Sequence, residues 1–410
     1  MKNNVRSNYL YLTILQIINY VLPLIIIPFL IVKLGTEGFG VISFALATIT
    51  FFRVVTSYGF DLTASREISI NRESKEKLVN IFSVVMTARV ILGFMCFLFL
   101  LLIVYIVPSV KNEYLIFLLT YLIVIGDILF PVWFFQGVEE MKYITIFRVL
   151  YKLLYSILVL LFVNEPSDIY LVPLFDGLGS IVTGLISLVY IKVKFDISIT
   201  IPNLRDVLKA YKDGYDVFLS KVMVVFYSSF NTFILGVFTS TLIVGYYSVA
   251  ERIYFSVRGL LNPFIQAIFP YLSRLYVKNV DEYRKIEMKI TIKLFLVLMI
   301  LSVIMFVSSD YLYLILNDEV SQTTVVCLKI FSVATLLAMG GYFSTLLVTE
   351  GKGSRLKLIT TKTVILNMML IFPFAYTYGA IGATVCFFLV QAYHLILQLK
   401  ERYGSNEESI

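Results

Sequence analysis

Residues 78–107 read LVNIFSVVMTARVILGFMCFLFLLLIVYIV. A helix needs about 20 mainly apolar residues to cross the roughly 30 Å hydrocarbon layer of a bilayer. This run exceeds that length and carries a single charged side chain, Arg89. Its apolar residues occupy every face of a helix, as in a membrane span; a soluble helix keeps a polar side. The rest of the chain repeats the pattern. It has 410 residues, 59% hydrophobic and 15% charged, with a mean hydropathy of +0.88. A soluble domain is about 45–50% apolar and about 25% charged, so the composition excludes soluble enzymes, nucleic-acid binders and disordered scaffolds. One His and three Cys are too few for a His/Cys zinc site or a disulfide framework, and no cofactor is expected. Cys96, Cys327 and Cys386 sit in apolar runs as small hydrophobes.

A 20-residue window gives twelve spans. They are 8–32, 39–60, 78–107, 114–135, 143–163, 169–191, 215–238, 242–271, 290–308, 323–349, 356–376 and 379–399. The first is too long for the apolar region of a signal peptide, and no small-residue cleavage site follows it. Basic residues test the count, because they concentrate in cytoplasmic loops. With both termini inside, the cytoplasmic segments hold 22 of the 34 Lys and Arg, and the outer ones hold only Lys33 and Lys111. A miscounted span would mix the two sides. The net charge of +7 is thus a topology signal that faces the anionic inner leaflet, and it needs no nucleic acid.

The polar break at 192–214 suggests a six-helix lobe at 1–191, a cytoplasmic linker, and a second six-helix lobe at 215–410. Within the linker, Asn203 is a good N-cap. Leu204, Val207, Leu208 and Tyr211 form one stripe, so a short amphipathic helix is expected on the inner membrane surface. The lobes look duplicated. Gly40, Ser43, Ala45, Arg53 and Leu30 recur 205 positions on as Gly245, Ser248, Ala250, Arg258 and Leu235. An even number of spans per half gives parallel, pseudo-symmetric repeats, an arrangement of alternating-access transporters. The fold class is therefore all-α: a polytopic membrane protein of 12 transmembrane helices in two pseudo-symmetric lobes.

Ionisable groups inside spans are costly and mark pathways or partners. The deep cations are Arg53, Arg89, Lys221, Arg252 and Arg258, and the deep acids are Asp127, Asp176 and Glu251. At 1.5 Å per residue Arg89 lies about 16 Å into its span. Fixed cations along a water-filled vestibule would attract an anionic head group such as pyrophosphate, and the arginine fork matches phosphate geometry. The acids could hold a coupling proton or Na⁺, or serve as structural partners of the arginines. Arg148, Lys152, Lys293 and Lys362 are expected to snorkel to the cytoplasmic boundary and Lys329 to the outer one. Pro23 and Pro28, and Pro263 and Pro270, should bend the first and eighth spans. His394 has no evident partner and is read as structural. The aromatics are read chiefly as interfacial belts and packing. The outer loops are short, the longest being 309–322, and no P-loop is present. These features suit a secondary transporter.

Four segments resemble bacterial O-antigen and capsule repeat-unit flippases. They are PVWFFQGVEEMK at 131–142, LGTEGFG at 34–40, GYYSVAER at 245–252 and PYLSR at 270–274. These flippases form the polysaccharide-transport branch of the multidrug/oligosaccharidyl-lipid/polysaccharide exporter superfamily. The resemblance covers nearly the whole chain and implies a MATE-like fold in the bacterial inner membrane, with both termini cytoplasmic. It also implies a non-enzymatic activity, the movement of an undecaprenyl-pyrophosphate-linked oligosaccharide from the inner to the outer leaflet. Ion-driven alternating access would power it, with a proton or Na⁺ and the glycan polymerase machinery as partners. A multidrug antiporter of the superfamily should carry an acidic residue in its first or seventh span. Here the first span has none, and Asp216 sits at the edge of the seventh. A lipid II flippase would usually have fourteen spans. A glycan-assembly enzyme such as a polymerase should carry a large outer loop or an external acidic motif.

Overall fold

The structure, a computed structural model, describes residues 2–259, 261–311 and 321–403. Among them every regular element is a helix. Eight helices are long and apolar enough to cross a membrane, or nine if one bent pair is a single span. The twelve expected spans are compatible with this, because two helices each cover two of them. Helix α1 (Lys2–Ser57) runs through the first and second spans, and its one non-helical residue is Gly35 at φ 72°. The last helix, Gly353–Tyr403, likewise covers the final two and breaks at Gly379, φ 54°. Its 51 residues would stretch about 77 Å if straight, more than twice the hydrocarbon thickness. Both breaks use a positive φ that a side chain would strain. Pro23 and Pro28 lie inside α1, where the backbone stays helical. The outer loop expected at 309–322 falls largely outside the described residues.

Two compact units divide the chain, Met1–Phe233 and Ile234–Ile410. In the first, α1 is followed by α2 (Phe60–Ile70), α3 (Lys75–Ile106), α4 (Pro108–Asn112), α5 (Tyr114–Leu129) and α6 (Val132–Gly137). Then come α7 (Met141–Phe162), α8 (Leu171–Phe195) and α9 (Leu204–Ser228). The closest pairing is α5 with α8. A Cβ on Gly126 would strike Ser180, and one on Gly184 would meet Leu129 Cβ at 2.6 Å. Small residues let membrane helices approach where no hydrophobic force separates helix from lipid. Asp127 and Asp176 are the neighbours of Gly126 and Gly177 on these helices, so the glycine contact fixes where both acids sit.

At one end of this unit Trp133, Phe134 and Phe135 are fully buried with Phe60 and Phe82. Gly137 lies against Ile68, where a Cβ would come within 2.6 Å of its Cβ. The aromatic segment that carried the family resemblance is therefore core, holding α6 on α2. Glu139 follows at φ 61° and pairs with Arg72, while Glu140 accepts from Lys194 at 2.6 Å. The linker helix does not stop after its amphipathic stretch. Asn203 caps it through Arg205 N–H, and α9 runs on unbroken to Ser228. Its stripe divides: Val207 is buried and the Tyr211 hydroxyl donates to the Ala88 carbonyl at 2.8 Å, whereas Leu204 and Leu208 stay exposed.

The second unit holds α10 (Phe230–Phe238, beginning in the first unit), α11 (Thr241–Gly259), α12 (Asn262–Lys278), α13 (Val280–Ser308), α14 (Gln322–Ala334), α15 (Met339–Thr349) and α16 (Gly353–Tyr403). The eighth span breaks between α11 and α12; Pro263 sits in the first turn of α12, where a missing N–H costs nothing, and Pro270 falls within the same helix. The Pro263 and Pro270 side chains lie outside the described residues. Tyr254, Phe331 and Phe387 pack ring on ring at 5.2–5.3 Å. A buried charge network ties the last helix to α13 and to the end of α15. Arg402 donates to Glu287 at 2.9 Å and to Glu350 at 3.1 Å, and Tyr283 donates to Glu350 at 3.0 Å.

Candidate functional site

The in-span charges of the first unit converge. Arg53 on α1 donates through Nε to Asp127 Oδ2 on α5 at 2.5 Å. Arg89 on α3 is buried; its Nη2 donates to the Asp127 carbonyl at 2.7 Å and its Nε to the Thr56 carbonyl at 3.4 Å. Asp127 thus receives one arginine on its side chain and a second on its backbone. Asp176 on α8 is half-buried and within electrostatic reach of Arg53 and Asp127, with no hydrogen bond or ion pair among the described residues. Lys221 on α9 holds Asp61 on α2 at 2.6 Å.

Two further cations join them. Arg148 on α7 lies 5.6 Å from the Phe130 ring centroid and within electrostatic reach of Asp127 and Arg53. Lys152, one turn on, is within electrostatic reach of Arg148 and Arg53. Both were expected to reach for the cytoplasmic boundary; both are half-buried and within electrostatic reach of Arg53. Lys152 lies about 14 Å into its span at 1.5 Å per residue, too deep for a stem to surface easily. Neither signal was available from α7 alone, because what distinguishes these residues is Arg53, nearly a hundred positions earlier.

The decisive property is exposure at depth. Arg53 leaves 45% of its side chain exposed and Asp127 23%, although both belong to membrane-crossing helices. A charge left uncovered inside a span is costly against lipid and marks a pathway or a partner. The first unit therefore gathers Arg53, Arg148, Lys152 and Lys221, with Arg89 buried behind them, against Asp61, Asp127 and Asp176, a surplus of two positive charges.

In the second unit Glu251 is buried while its neighbour Arg252 is exposed, as a 100° step around a helix requires. Arg258 is half-buried, within reach of Tyr254 and His394. His394, read from sequence as unpartnered, in fact has partners. Its Nδ1 lies 3.0 Å from Thr363 Oγ1 and its Nε2 2.9 Å from Gln398 Nε2. Gln398 Nε2 can only donate, so the ring proton belongs on Nδ1. Lys329 pairs with Asp310 at 2.8 Å. Three repeat pairs share their burial: Ser43 and Ser248, Ala45 and Ala250, and Leu30 and Leu235 are all buried; Arg53 is exposed while Arg258 is half-buried.

Comparison with known proteins identifies the kin. A family described as "Polysaccharide biosynthesis protein" matches residues 5–276. The chain belongs to that family. It is similar to a "Putative O-antigen transporter" of Escherichia coli (strain K12), 30% identical over 94% of this chain and 93% of that protein. A "Putative O-antigen transporter" of Shigella dysenteriae is 26% identical over 96% of this chain and 99% of its own length. Among solved structures, a multidrug resistance MATE family transporter of the MOP superfamily, described as inward-facing, matches with a TM-score of 0.74 at 16% identity. It covers 96% of both chains. The lipid II flippase MurJ, described as inward closed, gives 0.68 at 14% identity, covering 97% of this chain and 87% of its own. The family member described here thus has the MATE-like fold and is a multi-pass membrane protein.

Proposed function

We propose that this family member is a non-enzymatic flippase that carries an undecaprenyl-pyrophosphate-linked oligosaccharide, an O-antigen or capsule repeat unit, from the inner to the outer leaflet. The observation that carries the reading is the cationic surplus gathered within the spans. A pyrophosphate is a doubly anchored, multiply charged group, and arginine forks bind such oxygens with paired charge-assisted hydrogen bonds. A drug cation would be repelled by the same cluster. The two O-antigen transporters point to the same substrate class, and MurJ shows the fold serving a lipid-linked glycan precursor.

Ion-coupled alternating access supplies the drive in this reading. Asp127 is already committed to Arg53 and Arg89, and Glu251 is buried. Asp176 is free to take up and release a proton or Na⁺ beside the Arg53–Asp127 pair. The protein would lie in the bacterial inner membrane with both termini cytoplasmic, next to the glycan polymerase machinery. In cells lacking the chromosomal copy, wild-type chain should restore surface polysaccharide. Single Arg53→Ala, Arg89→Ala, Lys221→Ala, Arg252→Ala and Arg258→Ala variants at normal expression should lower it. Full surface glycan in all five would remove the arginines and lysine from substrate handling. Loss of dye resistance with intact glycan in the deletion strain would favour a drug antiporter instead.

A further inference from the structure

We infer that Arg148 and Lys152 on α7 are the phosphate-binding pair of the first unit, while the arginines that stand out in the sequence hold the site together. This rests on the flippase reading and assigns its anionic head group to particular side chains. The cations of the first unit differ in what already occupies them. Arg53 is taken by the Asp127 carboxylate, Arg89 by two backbone carbonyls, and Lys221 by the Asp61 carboxylate. The Arg148 and Lys152 side chains have no hydrogen bond and no ion pair among the described residues. The face of Phe130 lies against the Arg148 guanidinium, which steadies the plane and leaves its five N–H donors open.

Spacing supports a joint role. Residues four apart share one helix face, with Cβ atoms about 5–6 Å apart, so the guanidinium and the ammonium can reach one diphosphate together. Two like charges at this spacing repel each other and destabilise a helix. A chain that keeps them side by side inside a span gains from an anion that neutralises both. At Lys221 a phosphate would compete with an ion pair at 2.6 Å, and at Arg53 with a carboxylate held through Nε at 2.5 Å, whereas at Arg148 and Lys152 no such pair is present. The Arg53–Asp127–Arg89 group, which fixes α1, α3 and α5 relative to one another, then positions the neighbouring helices around the ligand.

The test uses the full-length protein purified into nanodiscs, with sugar-free undecaprenyl pyrophosphate as probe and undecaprenol, which lacks phosphate, as control. Arg148→Ala and Lys152→Gln should each weaken undecaprenyl pyrophosphate binding by about tenfold or more, the loss expected for a charge-assisted contact. Undecaprenol binding should stay unchanged, and Arg148→Lys should recover part of the loss. Should Arg148→Ala fail to accumulate, Lys152→Gln and Arg148→Lys carry the test alone. Undiminished binding in Lys152→Gln and Arg148→Lys would overturn the assignment while leaving the flippase reading intact. A wild-type protein that binds undecaprenyl pyrophosphate no better than undecaprenol would overturn both.

Discussion

Gly126→Ala should damage this protein out of proportion to one methyl group. A Cβ at Gly126 would stand 2.5 Å from Ser180 Cβ and 2.6 Å from the Ser180 backbone carbon. Ordinary carbon contacts lie at about 3.5–4.0 Å, so α5 and α8 must separate by roughly 1 Å. Neighbouring rotamers cannot absorb this, because one of the atoms in the way is backbone. Overpacking of this kind costs about 1–3 kcal/mol. The functional cost follows from sequence position, since Asp127 is the next residue and would be carried away from Arg53, which now lies at 2.5 Å. Thermal unfolding of the purified protein, followed with surface-glycan complementation, measures both effects. Adding Ser180→Gly should return part of the stability by removing the side-chain half of the clash, as contacting residues are non-additive. Gly353→Ala is the control, with nothing within 4 Å of its Cβ at the first position of α16, and should leave the unfolding midpoint and complementation near wild type. Gly126→Ala that melts and complements like wild type would refute the claim that α5–α8 contact places the acids.

Three further outcomes are expected. Arg402→Met should destabilise by about 3–5 kcal/mol, because it strands Glu287 and Glu350 in a network where Arg402 is only 5% and Glu287 3% exposed; adding Glu287→Gln should recover part of the unfolding midpoint. Asp176→Asn should leave substrate binding in place but remove the stimulation of transport by an imposed proton or Na⁺ gradient, measured in proteoliposomes. Asp127→Asn should instead weaken the unfolding midpoint, because Asp127 is a structural acceptor for Arg53.

The sequence carried the membrane architecture further than the site. Long apolar runs and one-sided basic loops are local properties, so spans could be read residue by residue. The breaks at Gly35 and Gly379 are kinks with helix on both sides, so each pair of spans is two helices joined without an intervening loop. Arg53 and Arg89 were visible because a charge in an apolar run is conspicuous. Their partners were not, since Arg53 and Asp127 are 74 positions apart and meet only through tertiary packing. Arg402 shows the same limit from the other side. It reads as one more basic residue of a cytoplasmic tail, yet it is buried against Glu287, 115 positions earlier. The PVWFFQG segment was recognisable as a pattern, but its function in the fold, filling the core beside α2 and α3, required seeing Phe60 and Phe82 around it.

The most direct test of the central claim reconstitutes the purified protein in liposomes containing an undecaprenyl-pyrophosphate-linked repeat unit. A membrane-impermeant glycan-binding reagent then follows the sugars as they change leaflet. The account predicts protein-dependent translocation that falls sharply in Arg53→Ala and Arg89→Ala. Translocation no faster than in protein-free liposomes, with folded protein present and an ion gradient imposed, would contradict it.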